Sequence, residues 1–163
     1  MEIKQNKTKV VKQKGVGIKF QYNDGGRKDA GFKGETGDCV VRAIVIATQL
    51  PYRKVYDELN VIGKNERIGK SKRKSNSRTG VKRKTYEKYL KDLGWKWVPQ
   101  MFIGSGCKTH LIKEELPEGS IIVRVSKHLV AVLDGVIYDI EDCSRGGTRC
   151  VYGYFKKEKE VAK

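Results

Sequence analysis

The sequence predicts an α+β domain. Two observations carry that reading. Apolar residues recur at helical spacing in the first half of the chain and alternate in the second, with the change of period at Gly94. The chain is also long enough, at 163 residues, to bury one core without metal or disulfide staples. The run GDCVVRAIVIATQL opens with the capping-type residues Thr36 and Asp38, continues through apolar positions and stops before Pro51, which fits a buried helix from Cys39 to Gln49. A second helix follows Pro51, with Val55, Leu59 and Ile62 on one face; Pro51 in its first turn loses no hydrogen bond. KNERIGKSKRKSNSRTG has almost nothing to bury and reads as a mobile loop. A third helix, Val81 to Leu93, carries Tyr86, Tyr89, Leu90 and Leu93 on one face and ends at Gly94. Beyond it, strands are expected over Trp95 to Met101, Ser120 to Ser126, Leu129 to Leu133, Val136 to Ile140 and Val151 to Phe155. Asp134-Gly135 between two of them is a strong hairpin signal. Trp95, Trp97, Tyr86 and Tyr89 are expected in the core or along a groove, not as a base-stacking platform.

Charge is distributed unevenly. Against 19 Asp and Glu stand 35 Lys and Arg, a formal +16. Residues 1–19 hold six Lys and one Glu, residues 64–88 eleven basic and two acidic residues, and residues 156–163 four Lys and two Glu. The stretches between are neutral. The expected organisation is therefore a basic extension (1–19), one domain (20–155) with a basic loop at 64–80, and a charged tail (156–163). Lys70, Lys72, Arg73, Lys74, Arg78, Lys82, Arg83 and Lys84 are the cations expected to meet phosphates if nucleic acid binds. That segment could equally be a solvated face, or border an active cleft. No apolar run is long enough to span a bilayer, and MEIKQNKTK lacks the apolar core of a secretory signal, so no membrane and a cytoplasmic location are expected. The four cysteines (Cys39, Cys107, Cys143, Cys150) are then expected free, catalytic or metal-binding and not paired. Cys107 and His110 have C-x2-H spacing, but Cys143 and Cys150 lack the close spacing of zinc knuckles, and no metal is expected.

Cys39 stands where a cysteine nucleophile would, at a helix N-terminus whose free N–H groups favour thiolate. The chain has two histidines, His110 in a loop and His128 at the start of the hairpin. With a two-residue turn at Asp134-Gly135, Leu133 pairs with Val136, and His128 shares a face with Ile137, Asp139 and Glu141. Asp139 would lie diagonal to the imidazole and Glu141 opposite it, and either could hold its Nδ1–H.

Cys, then His, then a carboxylate on the next strand, with Cys opening a buried helix, resembles the papain-like cysteine peptidase superfamily. Asp38-Cys39 before its apolar helix, and KHLVAVLDGVIYD, are similar to the bacteriocin-leader peptidases within it. The stretches from YNDGG through GDCVVRAI, GSGCKTHL and SRGGTRCVYGYF, between Gln21 and Phe155, resemble a family of small phage and bacterial proteins that brings little biochemistry with it. The superfamily resemblance implies helices packed on a C-terminal antiparallel sheet, with Cys39 as nucleophile, His128 as base and then acid, and Asp139 as the orienting carboxylate. It implies hydrolysis of a peptide, isopeptide or related amide bond in a protein or peptide substrate, or acyl transfer, without cofactors. The pattern's Gln six residues before the Cys is replaced by Lys33; Gln21 and Asn23 lie further upstream and could fold back to that place, and Asn23 is the preferred oxyanion donor of the two, beside the Cys39 N–H. The rival reading is a nucleic-acid- or host-protein-binding module on the same scaffold, a phage accessory protein, supported by the missing Gln and the basic segments.

Overall fold

The computed structural model describes residues 17–34, 37–70 and 73–159. It has three helices, α1 (Cys39–Thr48), α2 (Tyr52–Lys64) and α3 (Arg83–Asp92). Six strands, β1 (Lys19–Tyr22), β2 (Trp95–Pro99), β3 (Ser120–Val125), β4 (His128–Leu133), β5 (Val136–Asp139) and β6 (Gly153–Lys157), form one sheet in the order β1-β5-β4-β3-β6-β2. The α+β class is as expected, but the sheet is mixed: β1 joins β5 in parallel, Lys19 beside Val136 through Tyr22 beside Asp139. Ile18 is buried and β6 runs to Lys157, so the folded unit extends past both expected boundaries. The rest of the expected N-terminal extension, residues 1–16, and residues 160–163 of the tail lie outside the described residues.

The sheet is buried on both faces. Along β3, Ile122 faces the helices while Ile121, Val123 and Val125 face away; along β4, Leu129 and Ala131 face the helices and Val130 and Val132 face away. Helix α1 lies along β4 with Val40 through Ala47 buried. Its sequence, CVVRAIVIAT, is rich in β-branched residues of poor helix propensity, so burial and not propensity holds it. It ends at Gln49, left-handed at φ 62°, whose N–H donates to the Val45 carbonyl. Helices α2 and α3 bury one stripe each, including Val55, Leu59, Tyr86 and Leu90. On the far face Leu111, Leu116 and Val151, from the irregular segments around the strands, close the second core. The hairpin is as expected: Asp134 and Gly135 both have positive φ, the type I′ signature, and Leu133 pairs with Val136.

The basic segment departs from the expected loop. Ser75 and Ser77 are buried. Ser77 donates its N–H to Asn60 Oδ1 at 2.8 Å and its hydroxyl to the Tyr56 carbonyl at 2.6 Å, tying the segment to α2. Glu66 accepts the Ser75 N–H at 2.8 Å and the Thr85 hydroxyl, tying it to α3. Polar side chains supply the anchorage that an apolar pattern could not reveal. Lys74 donates to the Lys64 carbonyl, Arg78 to the Lys33 carbonyl, and Lys82 and Arg83 pair with Glu66 and Glu87. Lys70, Arg73 and Lys84 are exposed, and Lys72 lies outside the described residues.

The cysteine expectation is corrected too. Cys107 and Cys150 form a disulfide, because the isolated bridge between His110 and Cys150 brings the two loops together across 43 residues of chain. The pairing dissolves the four-ligand zinc set and runs against a reducing compartment. We expect two, not four, thiols to react with Ellman's reagent in the unfolded, unreduced protein, rising to four after reduction. No helix among the described residues is long and apolar enough to cross a membrane.

Candidate active site

Cys39 is the first residue of α1, where the N–H groups have no intrahelical acceptor and the dipole is positive. Asp38 precedes it but does not cap the helix; Thr36 lies outside the described residues. The Asp38 carboxylate is buried and turned the other way. It pairs with Arg42 one turn along and with Arg27 at 3.4 Å, and accepts the Tyr52 hydroxyl at 2.6 Å. Burial and this bond to Asp38 raise the Tyr52 pKa, so the phenol stays a donor.

Strand β5 stops at Asp139, and Glu141 lies beyond it, exposed in a bend. That decides between the two carboxylates. Asp139 Oδ2 lies 2.6 Å from His128 Nε2; Oδ1 accepts the Ile140 N–H at 2.7 Å and Arg42 Nε at 3.3 Å. The imidazole nitrogen on the carboxylate is thus Nε2 and not the expected Nδ1, which leaves Nδ1 to exchange a proton with a thiol. Burial opposes a charged imidazole here, but the bonds to Asp139, Cys143 and Cys39 outweigh it and raise the His128 pKa to about 11. Asp139 is likewise desolvated, yet the bond and charge of His128, the Ile140 N–H and Arg42 hold its carboxyl below the ordinary value.

The Cys39 thiol and the His128 imidazole line the same cleft and influence each other's ionisation. Burial works against its ionisation. The bond to His128 and its charge, the Leu129 backbone N–H and the Arg42 guanidinium prevail, and the thiol is held below its ordinary pKa. Cys39, His128 and Asp139 therefore form one chain from thiol to imidazole to carboxylate, fixed from behind by Arg42, which bridges Asp38 at the start of α1 and Asp139 at the end of β5.

Two contributors escaped the sequence reading. Arg42 had a visible signal: a lone charge inside an apolar helix demands a buried partner, and Asp38 four residues earlier is the nearest. Cys143 had none. It approaches from the segment after β5, and its sulfur and ligand atoms of His128 and Asp139 lie within 4.8 Å of one another. These are metal-ligand types, but Asp139 has both oxygens engaged by His128, Arg42 and Ile140, an arrangement made for proton sharing and not for a metal.

Asn23 does not fill the expected oxyanion role. Its side-chain oxygen accepts the Gly25 N–H at 2.7 Å in a turn, its own N–H donates to the Asp139 carbonyl, and it borders a cleft beside Val45 and Gln49 at the other end of α1. β1 leads the chain along β5 to Asp139, and the Asn23 side chain is spent on its own turn. Lys33 is exposed, its carbonyl accepting Arg27 and Arg78. The backbone donors beside Cys39 are the N–H groups at the start of α1, which have no intrahelical acceptor. The cleft itself, about 500 Å³, is bounded by Cys39, His128, Gly37 and Thr79 to Val81. The basic segment thus does border the cleft, through its last residues. His110 lies away from it, its Nδ1 3.1 Å from Glu115.

No family model, curated protein or solved structure matches this chain.

Proposed function

We propose that the protein is a papain-like cysteine hydrolase that cleaves a peptide, isopeptide or related amide bond through Cys39, His128 and Asp139. The observation that carries this is an imidazole bonded to a buried carboxylate and sharing the wall of an open cleft with a helix-terminal thiol whose ionisation it favours. The reaction class follows from what these groups can do.

In the resting site the thiol proton resides on His128, leaving a thiolate beside an imidazolium. The sulfur attacks the substrate carbonyl, forming a C–S bond while the carbonyl π pair moves to oxygen. N–H groups at the start of α1 stabilise that oxyanion. Collapse of the intermediate expels the amine, which takes the proton from His128. Neutral His128 then removes a proton from water as the water oxygen attacks the thioester. Collapse of this second intermediate breaks the C–S bond, releasing the carboxylic acid and the thiolate with its imidazolium. Asp139 stabilises the charged imidazole at each stage, and Arg42 keeps that carboxylate ionised and aimed. Exclusion of water in favour of another amine would turn the same site to acyl transfer.

Iodoacetamide tests the reading. Cys39 should be alkylated markedly faster than Cys143 at pH 7, because His128, the Leu129 N–H and Arg42 favour its thiolate. His128→Ala should remove the difference. Equal rates for the two thiols, read by peptide mass spectrometry, would refute the hydrolase.

A further inference from the structure

Four cations line the cleft beside Cys39 and His128, namely Arg42, Arg83, Arg124 and Lys127, and among the described residues no carboxylate lines it. Two are already engaged: Arg42 by Asp38 and Asp139, and Arg83 by Glu87. The other two are not. Among the described residues neither Arg124 nor Lys127 has a carboxylate within ion-pair distance. Arg124, half-buried on β3, is held with its guanidinium 5.7 Å from the Tyr152 ring centroid. Lys127 sits in the tight turn between β3 and β4 at φ 56°, immediately before His128, which fixes its stem at the cleft mouth. Cations without carboxylate partners beside a reacting thiol, Arg124 half-buried and Lys127 at the exposed mouth, favour an anionic occupant.

We propose that the cleft selects a peptide substrate carrying a carboxylate close to the scissile carbonyl, bound by Arg124 and Lys127. The inference rests on the hydrolase reading for the scissile bond, though not for the anion site itself. Arg83 and Arg124 also line the adjoining groove, with Trp97, Tyr152 and the exposed Phe102 and Ile103. A chain leaving the anion site along this groove therefore meets apolar surface, which suits an apolar side chain next to the acidic one. Nucleic acid fits less well. One face of Trp97 and one of Tyr152, where bases would stack, are already covered by Arg83 at 5.4 Å and Arg124 at 5.7 Å.

The test uses the full chain bearing Cys39→Ala, so it does not depend on a reactive thiol. Titration with N-acetyl-aspartyl amide should shift the backbone amide signals of Lys127 and His128, whereas N-acetyl-asparaginyl amide should shift them at least about fivefold more weakly, the worth of one exposed ion pair. Lys127→Gln, in an exposed turn that tolerates it, should bring the two ligands together. Arg124→Lys, keeping charge but not the ring contact, should preserve the preference. Equal response to both amides, or a preference untouched by Lys127→Gln, overturns the anion site. Displacement of the aspartyl amide by oligothymidylate at lower concentration overturns the peptide in favour of phosphate. In the parent chain, fast iodoacetamide alkylation of Cys39 together with equal amide responses would reject this proposal and leave the hydrolase standing; slow alkylation with an aspartyl preference would do the reverse.

Discussion

Arg42→Leu is expected to destabilise the fold by about 3–5 kcal/mol, the cost of leaving buried charges without their partner. Such a loss is a large part of the roughly 5–15 kcal/mol that holds a typical domain together. Arg42 is almost fully buried, its guanidinium shared between Asp38 on one side and Asp139 on the other. Asp38 would keep Arg27 and Tyr52, whereas Asp139 would keep only His128 and the Ile140 N–H. The variant should accordingly lower the urea midpoint at unchanged slope and slow Cys39 alkylation in the same molecule, because the tie between α1 and β5 also sets the distance from thiol to carboxylate. Arg42→Lys should fall between, since an ammonium cannot present a planar fork to two carboxylates. A midpoint change worth less than about 1 kcal/mol would show that the bridge does not hold the site.

The parts of this molecule legible in the sequence are those set by local pattern. The α1 run, the stripes of α2 and α3 and the Asp134-Gly135 turn each carry their own signal within a few residues, and the hairpin register then puts His128 and Asp139 on one face by counting alone. What the sequence hid depends on contacts far apart in the chain. β1, KFQY, alternates polar and aromatic residues over only four positions, all of them exposed at an edge, and only its pairing with β5 makes it a strand. That unseen strand puts the Asn23 N–H on the Asp139 carbonyl, and the turn after it takes the side-chain oxygen. The segment at 73–80 is ordered by Ser, Asn and Glu bonds to two helices, for which binary pattern has no vocabulary. Cys107 and Cys150 meet because two irregular loops do, and Cys143 comes to His128 from the irregular chain after β5, which ends two residues short of the ideal pairing with Glu141. The charge arithmetic located the basic segment correctly, yet the cations that face the cleft without carboxylate partners, Arg124 and Lys127, come from the neutral part of the chain.

Asp139→Asn should separate the charge of that residue from its shape. Asn still fits and accepts or donates one bond, but it no longer supports an imidazolium, so His128 falls from about 11 toward the ordinary value of about 6.5. Cys39 then loses its cationic neighbour at neutral pH. Its alkylation profile should move to higher pH, and the rate at pH 7 should drop about tenfold for each unit of that movement. Stability should change with pH in a matching way. His128 is raised in the folded state, so its contribution is complete below about pH 6.5 and is lost as pH climbs toward 11. Cys39 and Asp139 are lowered, so theirs are complete above their unfolded values and lost as pH falls through the folded ones. Above about pH 6.5 stability is lost on His128, and the gain on Cys39 offsets part of that loss only up to its unfolded value of about 9; beyond it only the loss remains, at up to about 1.4 kcal/mol per pH unit. The parent chain should therefore weaken from pH 9 to 11 more steeply than Asp139→Asn, while being the more stable of the two at pH 7. Parallel urea titrations across that range read both differences, and tyrosine or lysine ionisation common to the two proteins cancels. Parallel curves would mean that Asp139 does not hold the charge on His128, and the thiolate would need another source.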